Sequence, residues 1–122
     1  MKGLVYLATP YSHKDPAVQE RRFRVVNAVA AALMREGFPV FSPISHTHPI
    51  AQAGDLPGDW DYWEEYDRVV LSACSMMIVV AQPGWIESKG VTAEMDIARE
   101  MGIPIEFASP ESYGIDLYAG QV

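Results

Sequence analysis

The sequence predicts an α/β fold: a single-domain, doubly wound parallel sheet with helices on both faces. Three observations carry this. Short apolar runs alternate with longer segments of helical periodicity along the chain. The apolar runs are nearly continuous instead of alternating with polar residues, as expected of strands buried on both faces. The length of 122 residues suits one core, and no linker or internal repeat divides residues 1–122.

The elements follow in order. Leu4 to Ala8 is an apolar run bounded by Thr9-Pro10 and reads as a buried first strand. Asp15-Pro16 reads as an N-cap followed by proline at the first helical position. The helix after it carries Phe23, Val26, Ala30 and Leu33 at helical spacing and stops at Gly37. Phe38 to Phe41 is a second strand, stopped by Ser42-Pro43. Ile44 to Gly58 holds Pro49, Pro57, Gly54, Gly58, His46 and His48, and reads as a long irregular loop of the kind that often carries function. Asp59 to about Ala73 is an aromatic-rich helix. Met76 to Ala81 is a strand, followed by the turn Gln82-Pro83-Gly84-Trp85. A helix containing Glu94 then runs to Gly102, and Ile103 to Phe107 is the last strand. The pattern is flavodoxin- or Rossmann-like. In such sheets ligands bind beyond the carboxyl ends of the strands, near the switch in strand order. Thr9 to Ser12, His46 and His48, and Trp85 to Glu94 are all expected there.

Composition narrows the function classes. The apolar fraction of 49% is that of a globular protein. No apolar run approaches the roughly 18 residues of a membrane span. The opening MKGLVYLATPYS reads as a strand entering a loop, not as a signal peptide. A net charge of −7 disfavours binding along DNA or RNA but permits a small anionic ligand in a local pocket. Arg21, Arg22 and Arg24 form the basic cluster, read as a solvated helix face or subunit contact in preference to a phosphate site. Cys74 is the only cysteine, so an internal disulfide is excluded; a reducing cytoplasm is expected, and Cys74 reads as core.

Two carboxylates stand out, each with two readings. Glu94 lies in the first turns of a helix, where dipole and free amides would keep it ionised and held as a nucleophile toward a cationic centre. Gly90 would let a ligand approach the backbone, and Ser88 would donate to an anion at the helix start. The plain reading makes Ser88 an N-cap and Glu94 helix decoration. Asp67 shares a helix face with Trp60 and Trp63 at i, i+3 and i+7. Partial desolvation there would raise its pKa and suit a general acid; the plain reading is a structural aspartate, and the tryptophans read more readily as core than as a stacking platform. His46-Thr47-His48 on an extended segment would point the same way, and His13, Asp55 or Asp59 would supply a third metal ligand. No spacing there is diagnostic, and a pocket-lining histidine is preferred to a metal site. Neither GxGxxG nor GxxxxGK[ST] occurs.

Taken together, these residues resemble a known family. Val5-Tyr6-Leu7-Ala8-Thr9-Pro10-Tyr11-Ser12 is similar to the opening strand and loop of nucleoside 2-deoxyribosyltransferases. Ser88-Lys89-Gly90-Val91-Thr92-Ala93-Glu94, with Ala98 four residues on, resembles the S-x-G-V-x-x-E-x-x-x-A stretch of that superfamily. Asp67 is similar to its aspartate. The resemblance extends to about Phe107 and is closest to a small branch related to deoxynucleoside 5′-monophosphate N-glycosidases.

The resemblance implies a small doubly wound sheet and cleavage or transfer of the N-glycosidic bond of a (2′-deoxy)nucleoside or its 5′-monophosphate. It implies Glu94 as nucleophile, Asp67 assisting the leaving base and Tyr6 orienting Glu94. Ser88 matches a 5′-phosphate-binding serine, and His46 a pocket histidine. Thr9, Pro10, Tyr11, Ser12, Trp63, Trp85 and Gly90 complete the expected substrate site. No metal or organic cofactor, nucleic acid polymer or membrane is expected as partner, and a homodimer or larger homo-oligomer is. The chain departs from the family in three places. The turn Gln82 to Glu87 is longer, Thr9 to His13 is not glycine-rich, and the tail Ser109 to Val122 has no match. Two alternatives stand beside this reading: a nucleotide-binding module that does not cleave, and a phosphoribohydrolase of the P-G-G-x-G-T-x-x-E type. Pro83-Gly84 and Gly90 to Glu94 keep part of that second pattern.

Overall fold

A computed structural model describes residues 3–118. The strands are β1 (Val5–Ala8), β2 (Val40–Phe41), β3 (Met76–Val80) and β4 (Ile105–Ala108). The helices are α1 (Pro16–Arg35), α2 (Pro43–Gly54), α3 (Trp60–Ser72) and α4 (Lys89–Glu100), and a single 3-10 turn covers Pro110–Tyr113. The strands form one parallel sheet in the order β2-β1-β3-β4. The fold is therefore the doubly wound α/β class that the alternation predicts.

Side-chain alternation along the strands splits the core in two. Val5, Leu7, Ile78 and Val80 face α1, where Val25, Val26, Val29 and Leu33 meet them. Tyr6, Ala8, Met77 and Val79 face the opposite layer, where Leu71 of α3 and Val91, Ile97 and Ala98 of α4 cover them. Cys74 is buried in this second layer. Among the described residues no helix is long and apolar enough to cross a membrane.

One expectation is overturned. Ile44 to Gly58 is mostly helix, not loop. Ser42 sits in extended conformation at the N-cap, and Pro43 takes the first helical position, where its missing N–H costs nothing. The helix survives Pro49 in its interior because Pro43, Thr47 and His48 are buried, packed where α2 meets α1; tertiary packing overrides a poor intrinsic propensity. Asp55, in the left-handed region at φ 54°, ends it, its N–H bonding to the Ala51 carbonyl.

Strand order reverses between β1 and β3: the chain leaves β1 for β2 on one side and returns to β3 on the other. The loops after β1 and after β3 diverge there, and a crevice opens between them.

Candidate active site

A cavity of about 530 Å³ occupies this crevice. Thr9, Tyr11 and Ser12 enter it from the β1–α1 loop, and Arg22 from α1. Thr47 and His48 come from α2, and Trp60, Trp63 and Asp67 from α3. Gly84, Ser88, Gly90 and Glu94 come from the β3–α4 loop and α4. Four helices and two loops therefore supply the wall.

Glu94 and Asp67 are 7% and 8% exposed, yet both line the cavity. The Tyr6 hydroxyl donates to Glu94 Oε2 from the fully buried middle of β1. The Glu94 carboxyl is pushed up to about 8, by burial first and the neighbouring Asp67 second, while the Tyr6 hydrogen bond pulls it down. Burial alone pushes Asp67 up to about 7, in line with the helix-face argument. Tyr6 is itself held well above its ordinary value, by burial first and the Glu94 charge second, so it stays a phenol donor. The expectation that Glu94 stays ionised is corrected. It stands in the second turn of α4, whereas the favourable dipole field fades within the first turn. Desolvation wins, and near neutral pH the carboxyl pair retains a proton.

Ser88 is the N-cap of α4, its Oγ accepting from Val91 N–H at 3.1 Å, and it also lines the cavity. The cap and the wall of the site are thus one residue. A Cβ at Gly90 would make only ordinary contact with Trp60 at 3.7 Å and Ser88 at 3.9 Å, so no protein neighbour demands glycine there. Trp63 Nε1 donates to the Pro57 carbonyl at 2.7 Å, and Ser12 Oγ donates to the Gly58 carbonyl; both pin the α2–α3 loop over the cavity. Lys89 and Asp61 pair at 3.1 Å on the exposed rim, where such a pair adds little stability.

Three expected site residues lie elsewhere. His46 is exposed and faces a separate groove beside Phe41, with ring centroids 5.9 Å apart. Residues two apart on a helix point to opposite sides, so His48, not His46, enters the cavity. The two histidines therefore do not point the same way, and among the described residues no group of three metal-ligating side chains gathers. Trp85 packs on Phe107 at 5.3 Å against the α3–α4 side of the core, because the turn after β3 folds toward the β4 edge. Pro10 is buried in the β1–α1 loop and does not line the cavity; its carbonyl accepts from Thr9 Oγ1 at 3.4 Å.

Arg22 and His48 enter the site although the sequence does not single them out: Arg22 reads with Arg21 and Arg24 as a solvated helix face or subunit contact, and His46 is preferred to His48. Arg22 is 8% exposed. Its Nη1 donates to the carbonyls of Ser12 at 2.9 Å and Tyr11 at 3.3 Å, while its Nε has no partner. Among the described residues no carboxylate lies within ion-pair distance of it. Burial lowers its pKa first, then Arg21, and Glu87 works in the opposite direction. Gly84 makes room for the guanidinium: its φ is 98°, and a Cβ there would lie 2.2 Å from Arg22 Nη2. The signal was present in the sequence, since Arg22 precedes Val25, Val26 and Val29 on the apolar stripe of α1. His48 had no such signal without a helix to place it. Gln82, fully buried at the end of β3, ties the site together by donating to Thr9 Oγ1 at 2.6 Å and to the Arg22 carbonyl at 3.2 Å.

No curated protein matches this chain. Residues 3–109 match the family described as Domain of unknown function (DUF1937), and the chain belongs to that family.

Proposed function

We propose that the protein cleaves or transfers the N-glycosidic bond of a (2′-deoxy)nucleoside or its 5′-monophosphate, with Glu94 as nucleophile and Asp67 as acid. The observation that carries this reading is the pair of buried carboxyls, Glu94 and Asp67, in the wall of one cavity, with Tyr6 donating to Glu94. The cavity volume falls in the range of small-ligand sites, and Trp60 and Trp63 offer aromatic faces to a base.

In this mechanism the pair holds one proton. Glu94, which titrates the higher, holds that proton in the free site; Tyr6 and the cationic character developing at C1′ draw the charge onto Glu94, and the proton passes to Asp67. Glu94 bonds to C1′ as the C1′–N bond breaks, and Asp67 protonates the departing base. Asp67, now ionised, then takes a proton from water or from an acceptor base that opens the ester and frees Glu94. The logic is that of a retaining glycosidase. Arg22 favours the monophosphate, because a buried cation with no ion pair is costly until an anion approaches it. The lone thiol Cys74, buried in the core, suits a reducing cytoplasm as the site of action.

The test is chromatographic assay of free base from ribo- and deoxynucleosides and their 5′-monophosphates, with and without an acceptor base. Release by the wild type and none by Glu94→Ala supports the reading. Retained activity in Glu94→Ala sinks the mechanism. Ligand binding with no product from any substrate would make the protein a nucleotide-binding module.

A further inference from the structure

A second hydrogen-bonded chain reaches the cavity from the side opposite the carboxyls' helices. Its members are Tyr11 of the β1–α1 loop, His48 of α2 and Glu20 of α1. The Tyr11 hydroxyl meets His48 Nδ1, and His48 Nε2 lies 2.7 Å from Glu20 Oε1. His48 is only 3% exposed, whereas the Glu20 side chain is 56% exposed. Phe23, one turn beyond Glu20, lies against the imidazole with centroids 4.2 Å apart and an interplanar angle of 32°. Gln52, one turn beyond His48, donates to the same Glu20 oxygen at 3.1 Å. The ring is thus clamped on both edges and one face, which a residue that only fills space does not need.

The chain has a direction. An ionised carboxylate only accepts, so the proton of a neutral His48 sits on Nε2, facing Glu20. Nδ1 then carries a lone pair and accepts the Tyr11 O–H. With its proton committed, the Tyr11 oxygen has only acceptor capacity left. Tyr11 and His48 both line the cavity; Glu20 does not.

We infer that Tyr11 is a specificity-determining residue, its hydroxyl oriented by His48 and Glu20 to accept a hydrogen bond from a hydroxyl or N–H group of the ligand. This rests on the nucleoside reading above. Glu20 and His48 are positioning residues that act through Tyr11. A ligand that brings no donor to this point leaves the Tyr11 oxygen unpaired and is rejected.

The test combines two measurements on the full chain. Nitrogen-15 NMR of the imidazole should show neutral His48 with its proton on Nε2, and Glu20→Gln should weaken that preference, because an amide can also donate. A proton on Nδ1 in the wild type overturns the assignment. Dissociation constants are then compared for 2′-deoxynucleosides, their 5′-monophosphates, and the 3′-O-methyl, 5′-O-methyl and base N-methyl analogues. One analogue should bind the wild type about tenfold more weakly than its parent. Tyr11→Phe, which keeps the ring, should weaken the parent by a similar factor and erase the difference. Equal weakening of the parent and every analogue by Tyr11→Phe would show a packing role and overturn the inference. The expected binding pattern without base release counts against cleavage at Glu94 while supporting Tyr11. No binding of any nucleoside or 5′-monophosphate overturns both.

Discussion

The Tyr6 hydroxyl donates to Glu94 Oε2 across 88 positions of sequence, from the middle of β1 to the second turn of α4. Among the described residues it is the hydrogen bond that the Glu94 carboxyl makes, and it opposes burial and Asp67 in setting the charge of that group. Removing it should therefore move chemistry and titration together.

Tyr6→Phe should lower the rate near pH 7 by about a hundredfold, on the scale of losing one preorganised donor. The acid limb of the pH–rate profile should shift to higher pH, because Glu94 then ionises with more difficulty. The fold should lose about 1–3 kcal/mol, since a buried carboxyl is left without its donor. A rate loss with no movement of the profile would mean that Tyr6 does not tune Glu94.

Asp67→Asn should reduce base release by about 10²–10⁴-fold with ordinary substrates. The loss should be far smaller with an N7-methylated purine nucleoside, whose base already carries positive charge and leaves without a proton. Rates for the two substrate types, measured in both proteins, check this. Equal losses for both would remove Asp67 from the role of acid.

The carboxyl pair also sets a pH dependence of stability. Glu94 and Asp67 titrate higher in the folded protein, at about 8 and about 7, than their ordinary values of 4.5 and 3.8. The folded state therefore binds more protons than the unfolded state between pH 4 and 8. Their contribution is fully present below pH 4 and is lost as pH rises to about 8, on the order of a few kcal/mol. Denaturant midpoints should fall across this window in the wild type. Glu94→Gln should flatten the slope and be the more stable protein at pH 8; an unchanged slope would contradict the burial of Glu94.

Arg22→Gln should lower kcat/KM for 5′-monophosphates by about tenfold or more, and for nucleosides by less, since a charge-assisted hydrogen bond is the stronger kind. Arg22→Lys should recover part of the difference. Steady-state kinetics on matched nucleoside and monophosphate pairs decide it: a uniform loss would assign Arg22 only to bracing the Tyr11 and Ser12 carbonyls.

Much of this fold was legible because its signals are local. The apolar runs of β1 and β3, the Asp15-Pro16 start of α1 and the Ser88 cap of α4 each follow from neighbouring residues. The shared face of Trp60, Trp63 and Asp67 followed from the helical period alone, and so did the raised titration of Asp67. Helix α2 was not legible, because its prolines and glycine argue against helix locally and packing against α1 outweighs them. The resemblance pointed to His46, and only the helix shows that His48 is the histidine turned into the cavity. Trp85 and Pro10 were misplaced because a turn's direction depends on what it packs against. Glu94 shows the division most clearly. Its place near a helix start was plain, and the local field there favours a charge. Its actual state depends on β1, α3 and α4 closing around it, and removal from water outweighs the helix field in the second turn. Local chemistry in the chain set the elements and their faces; the closing of those elements around Glu94, Arg22 and His48 set which groups share a cavity and which proton each one holds.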